Sequence, residues 1–136
     1  MKAESDSMNI RHYFENTEGT GILATCGPEG RVNQAIYSKP FVIDDKTVAL
    51  VMKQQTSHKN LRNHLQASYL FIEKGVGCKG IRFCLTMQNE EKNRSLITAL
   101  REEQPCIYPK EDDSDKFLVF FEVDRIRPLV GDALGD

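Results

Sequence analysis

The sequence has no tryptophan and no Cys-x-x-Cys pair, and none of its apolar runs approaches the length that spans a bilayer. No membrane-spanning helix is expected. The four cysteines, Cys26, Cys78, Cys84 and Cys106, lack the paired spacing of a zinc site or a disulfide framework. The opening Met1-Lys2-Ala3-Glu4-Ser5-Asp6 has no apolar secretory core, so a cytoplasmic protein with reduced thiols is expected. Basic residues are not in surplus: 18 Lys and Arg are scattered among 20 Asp and Glu, for a formal charge of −2. A nucleic-acid partner is not expected from that balance. The three histidines, His12, His58 and His64, lack metal-ligand spacing, and no metal is expected. Gly-x-Ser-x-Gly, Walker and Rossmann glycine patterns are also missing, which removes the common hydrolase, P-loop and dinucleotide signatures.

What is present describes one ordinary globular domain over residues 1–136, with its core in about residues 8–129. Its 40% hydrophobic and 28% charged residues are usual for that class. Ile10, Tyr13 and Phe14 make an i, i+3, i+4 stripe that predicts a short helix capped by Ser7. Strands are predicted over 22–26 and 31–38, joined as a hairpin by the turn residues Gly27-Pro28-Glu29-Gly30. Pro40 ends the second strand, and Asp44-Asp45-Lys46 makes a turn before a buried third strand over 47–53. Further strands are predicted over 67–73, 81–87 and 117–126, with a glycine-rich link over 74–80. Asn89 is predicted to cap a helix with Glu90 and Glu91 in its first turn and Leu96, Ile97 and Leu100 buried, ended by Pro105. The acidic stretch 111–115 reads as a solvated loop, and the tail from Gly131 as frayed. Six short strands with two or three helices predict a mainly β chain, a small antiparallel barrel with peripheral helices.

The chain is organised around Lys53-Gln54-Gln55-Thr56-Ser57-His58-Lys59-Asn60-Leu61, where the third strand feeds a helix starting near Lys59. The first N–H groups of a helix have no intrahelical partner and carry partial positive charge. A hydroxyl and a lysine at that point make a natural phosphate site. Taken alone, the stretch is better read as a helix capped by Thr56 or Ser57 with a solvated Lys59.

The order of these pieces resembles the pyridoxamine 5′-phosphate oxidase-like family of FMN-binding split barrels. The pieces are a helix, paired strands with Leu23-Ala24-Thr25 before Arg31-Val32-Asn33, a strand running into Thr56-Ser57-His58-Lys59-Asn60-Leu61, and a late Arg125-Ile126-Arg127-Pro128-Leu129. The resemblance implies a six-stranded antiparallel split β-barrel that binds FMN between the subunits of a homodimer. It implies phosphate binding by Thr56, Ser57, His58, Lys59 and Asn60, in either of two registers that both include Lys59. It also implies a flavin ring near Asn33, Gln34, Ala35, Ile36, Tyr37, Val51, Met52 and Lys53, met largely by backbone groups. Asn33 is equally explained as a hairpin residue, Tyr37 and Met52 as core, and Lys53 as a solvated cation.

Departures narrow the function. Ala35 stands where the true pyridoxamine phosphate oxidases have a phosphate-binding arginine, and the long substrate-binding C-terminal segment is missing, so vitamin-B6 oxidation is not expected. The resulting expectation is a flavin-dependent oxidoreductase acting on a small molecule. A non-catalytic FMN carrier or sensing module is the alternative, and a flavin-free barrel used for protein interaction is a third reading. A small barrel has no interior room for a tricyclic ring, which is a second reason to expect a dimer.

Overall fold

The computed structural model describes residues 9–53, 55–103 and 116–131. Helix α1 (Ile10–Glu15) is capped by Asn9, whose Oδ1 accepts the backbone N–H of His12 at 2.9 Å. The predicted cap, Ser7, lies outside the described residues. Ile10 and Phe14 are buried, as the stripe requires. The Phe14 ring meets Phe71 and Phe83 edge-on, with centroids 5.1 and 5.9 Å apart, the arrangement that aligns a ring's positive edge with a neighbour's negative face. Lys39 closes the far end of α1, donating from Nζ to the carbonyls of Phe14 (2.7 Å) and Thr17 (3.1 Å). A cation suits the negative end of a helix dipole.

Strands β1 (Gly19–Cys26) and β2 (Val32–Tyr37) form the predicted hairpin, with Leu23 opposite Ala35 and Thr25 opposite Asn33. Their connection, Pro28–Gly30, places Glu29 and Gly30 at φ of 60° and 74°, which the glycine takes without steric cost. Then follow β3 (Phe41–Asp44), β4 (Thr47–Lys53), α2 (Thr56–Asn63), β5 (Gln66–Glu73), β6 (Gly80–Glu91), α3 (Arg94–Glu103) and β7 (Lys116–Pro128). All seven strands belong to one antiparallel sheet in the order β2-β1-β5-β6-β7-β4-β3. The sheet curls around one cluster. Leu23 and Tyr37 from one end of that order share it with Val48, Leu50 and Met52 from the other, together with Leu61 of α2. The end strands β2 and β3 are not hydrogen-bonded neighbours, so the barrel is split between them. Helix α3 covers the outer side of β4 and β7, where Ile97 packs with Ala49 and Leu118. No helix among the described residues is long and apolar enough to cross a membrane.

Four local predictions are corrected. The sheet has seven strands rather than six, because Phe41 and Val42 pair with Ala49 and Val48 immediately after Pro40. Pro40 ends one strand and leaves the next free to start. The predicted turn follows, with Asp44 Oδ1 accepting the N–H of Lys46 at 2.9 Å. Residues 89–91 are strand, not the start of a helix: a bulge between Met87 and Asn89 lets β6 go on pairing with β7 as far as Glu91 opposite Leu118. The helix begins at Arg94, and Asn93 accepts the N–H of Leu96 at 3.0 Å. Leu96 is exposed, while Ile97 is buried. Finally, α2 begins at Thr56 rather than near Lys59, with Gln55 in the cap position and no side-chain capping bond. Pro105, Cys106, the acidic stretch 111–115 and the tail beyond Gly131 lie outside the described residues.

Candidate functional site

The turn from β4 into α2 gives the donors of the helix start no side-chain cap from Gln55. Gln55 is extended (φ −130°, ψ −165°) and contributes only its carbonyl, which accepts the N–H of Lys59 at 2.9 Å. The N–H groups of Thr56, Ser57 and His58 precede the first intrahelical bond and so have no acceptor within the helix. Neither Thr56 nor Ser57 caps them; the expected hydroxyl cap is corrected by the helix starting at Thr56. Ser57 Oγ accepts instead from Asn33 Nδ2 of β2 at 3.1 Å. Thr56 and Lys59 are exposed at this end. Helical side chains lean toward the N-terminus, a direction that favours reach from Lys59 toward the first turn. N–H groups without an intrahelical acceptor, a hydroxyl and a cation at the positive end of a helix dipole are the groups from which anion sites are built.

The other three residues of the stretch point into the body of the protein. Ser57, His58 and Asn60 are 4%, 1% and 6% exposed. Asn60 Nδ2 donates to Thr25 Oγ1 of β1 at 3.1 Å, and its amide lies where a β-carbon on Gly27 would come within 2.5 Å. The His58 ring stacks on Phe117 (4.1 Å between centroids, 13° between planes), with Nε2 2.6 Å from Glu90 Oε1. Arg62 Nη2 donates to the other Glu90 oxygen at 3.4 Å. The side chains of Ser57, His58 and Asn60 thus tie α2 to β2, β6 and β1, and what His58 retains for a ligand at the helix start is its backbone N–H.

The residues expected near a flavin ring divide by face. On β2, Val32, Gln34 and Ile36 are exposed, Asn33 and Ala35 are half-buried, and Tyr37 is buried. On β4, Met52 is buried in the core cluster, while Val51 and Lys53 are half-buried. Tyr37 and Met52 can therefore reach a ligand only through backbone groups. The Asn33–Ser57 bond links β2 to the helix that follows β4, so α2 bridges two parts of the barrel that no ladder joins. Lys53 sits directly opposite Lys116 in the β4–β7 register, and both are half-buried. Glu90, Phe117, Thr25 and Lys116 are the residues that sequence reasoning missed. The sequence places Thr25 and Phe117 in strands without showing their partners, and it places Glu90 at a helix start.

Elsewhere the chemistry is structural. His12 and His64 are exposed, and no group of three or more His, Cys, Asp or Glu among the described residues is arranged to hold a metal. A cavity of about 520 Å³ between α1, β3 and α3 is lined by Phe41, Leu96, Leu118 and Phe120 with Arg11 and Lys39 at its edge. Both cations are spent on backbone carbonyls, Arg11 on Ile43 and Lys39 on Phe14 and Thr17. Burial, and then its 2.6 Å bond to Glu73, push the Tyr13 hydroxyl pKa up; burial does the same for Tyr69, whose hydroxyl donates to the Ser38 carbonyl at 3.1 Å.

No protein-family model matches the chain, and no curated protein matches its sequence. Solved structures do match. An FMN-binding protein from Syntrophomonas wolfei superposes with a TM-score of 0.67 at 18% identity, covering 82% of this chain and 77% of that one. HupZ of Group A Streptococcus gives 0.68 at 16% identity over 90% and 94%. A pyridoxamine 5′-phosphate oxidase-like protein from Lactobacillus delbrueckii gives 0.61 at 9% identity over 90% and 95%. Identities this low speak for architecture alone. The chain has the split-barrel fold shared by FMN-binding and pyridoxamine 5′-phosphate oxidase-like proteins.

Proposed function

We propose that this protein binds FMN as a homodimer and acts in the cytoplasm as a flavin-dependent oxidoreductase on a small molecule. The observation that carries the reading is the start of α2, which has no side-chain cap from Gln55 and exposes Thr56 and Lys59 in its first turn and a half while the buried Ser57, His58 and Asn60 hold the helix in place. That donor set fits a phosphate ester, and the fold likeness to an FMN-binding protein supports the choice of ester. The ring is assigned to the flank of β2 and the end of β4, where Asn33, Ala35, Val51 and Lys53 are partly open. Lys53 and Lys116 at that end would favour negative charge on the ring.

When bound, FMN supplies hydride chemistry at its ring; the chain has to hold it, orient a second reactant and exclude water. The second subunit follows from room. Leu23, Met52, Phe71 and Phe83 fill the barrel at 0% exposure, so no ring enters it, and a cover must come from outside. Val32 and Ile36, 79% and 54% exposed on the outer side of β2, supply an apolar face for that contact.

The test is to purify the protein with FMN and record its spectrum, its molar mass in solution and its response to NADH and NADPH without oxygen. The proposal expects a yellow dimer that releases FMN on denaturation, bleaches with a nicotinamide donor and recovers with an acceptor. Colourless monomer refutes it; a yellow dimer inert to every donor leaves a flavin carrier instead.

A further inference from the structure

His58 is the most buried polar residue of α2, and its surroundings give it a task other than touching a ligand. The ring, 1% exposed, lies flat on Phe117 of β7 and places Nε2 2.6 Å from Glu90 of β6. Its Nδ1 is buried without a hydrogen-bond partner among the described residues. A ring with one polar partner takes its direction from that partner. Glu90 is in turn held by Arg62, one turn further along α2, and it stands beyond the bulge that carries β6 past its regular pairing. A bulge re-aims the side chains that follow it. The strand extension at 89–91 and the inward turn of His58 are thus two halves of one contact.

We infer that His58 and Glu90 are a positioning pair that fixes the first turn of α2 for phosphate binding, His58 acting through its ring on the placement of its own backbone N–H. The inference rests on the FMN reading above. His58 is the third helical residue, so its N–H is among those left without an intrahelical acceptor. Asn33 holds Ser57 from β2 and Thr25 holds Asn60 from β1, and without the Glu90 contact the turn would be tied on that side only. Phosphate recognition by backbone donors depends on where those donors point. The flavin ring, assigned to β2 and β4, does not depend on this contact. Loss of the pair should therefore weaken the phosphate-bearing cofactor and spare the same ring system without phosphate.

The experiment compares FMN with riboflavin, which lacks only the phosphate, by fluorescence titration of the wild type, H58F, H58Q and E90A, with thermal melts as the folding control. For H58F the expected result is an FMN dissociation constant raised about tenfold, equivalent to about 1.4 kcal/mol, with riboflavin affinity unchanged. E90A, which removes the acceptor, should move the same way. H58Q, whose amide can still donate to Glu90, should recover most of the FMN preference. Equal losses for both flavins, or an intact FMN preference in both H58F and E90A, would overturn the positioning role while leaving the FMN reading standing. Wild-type protein that binds neither flavin overturns both. Should H58F not fold, E90A and H58Q decide the matter between them.

Discussion

Gly27→Ala tests how tightly α2 is held. Gly27 has φ of −106°, which any residue can adopt, so the substitution by itself would stiffen the unfolded chain and add about 0.4–1 kcal/mol of stability. The new β-carbon would, however, come within 2.5 Å of Asn60 Oδ1 and 3.1 Å of its Cγ. The Asn60 amide cannot swing into water to escape, because it is 6% exposed and bonded to Thr25, itself 4% exposed. Displacing it leaves buried polar groups unpaired, at about 1–3 kcal/mol, and adds overpacking of about 1–3 kcal/mol. Less the chain-stiffening gain, the net cost is about 1–5.6 kcal/mol, centred near about 3 kcal/mol, which is a fall in Tm of about 10 °C for a domain of this size. The assay is a double-mutant cycle by urea unfolding with Asn60→Ala. In the Asn60→Ala background the contact is gone, so Gly27→Ala should be neutral or slightly stabilising. An equal cost in both backgrounds would refute the reasoning and place the penalty in the Gly27 turn.

Other expectations follow from separate parts of the molecule. Lys39→Met should cost about 2–4 kcal/mol in urea unfolding, because two carbonyls at the end of α1 lose charge-assisted donors; a loss below about 0.5 kcal/mol would show that water replaces the ammonium. If the proposed dimer forms through the outer face of β2, Ile36→Lys should shift it to monomer in sedimentation while leaving the far-ultraviolet circular dichroism unchanged; an unaltered dimer would place the subunit contact elsewhere. Burial holds the pKa values of Tyr13 and Tyr69 above the ordinary 10.0. The stability this represents is complete below about pH 10 and is lost as pH rises through the folded-state values. Urea midpoints should therefore fall above about pH 10, less steeply in Tyr69→Phe, and a flat profile to pH 11 would contradict the burial argument.

The parts of the fold legible in the sequence are those where local chemistry and tertiary packing agree. The apolar run within 67–73 and the Gly27–Gly30 turn announce a strand and a hairpin whose partners then match. Pro40 hid the short β3, because a residue that stops one strand gives no sign that pairing resumes at Phe41. Asn89-Glu90-Glu91 has the composition of a helix start, yet pairing with β7 across a bulge outweighs that propensity. At the site, sequence reasoning brought out Lys59 and the strand-to-helix turn, both defined by neighbours in the chain. It could not show that His58 turns toward Glu90, a contact 32 residues apart that depends on the bulge. Nor could it show that Ser57 and Asn60 are spent on Asn33 and Thr25.

The central claim is that a phosphate sits on the first turn of α2 beneath Lys59, and paired titrations of wild type and Lys59→Ala with FMN and riboflavin test it most directly. The account predicts that wild type prefers FMN at least tenfold, and that Lys59→Ala removes most of that preference, about 1.4 kcal/mol or more, without changing riboflavin binding. Equal affinity of the wild type for both flavins, or a preference untouched by Lys59→Ala, would contradict it.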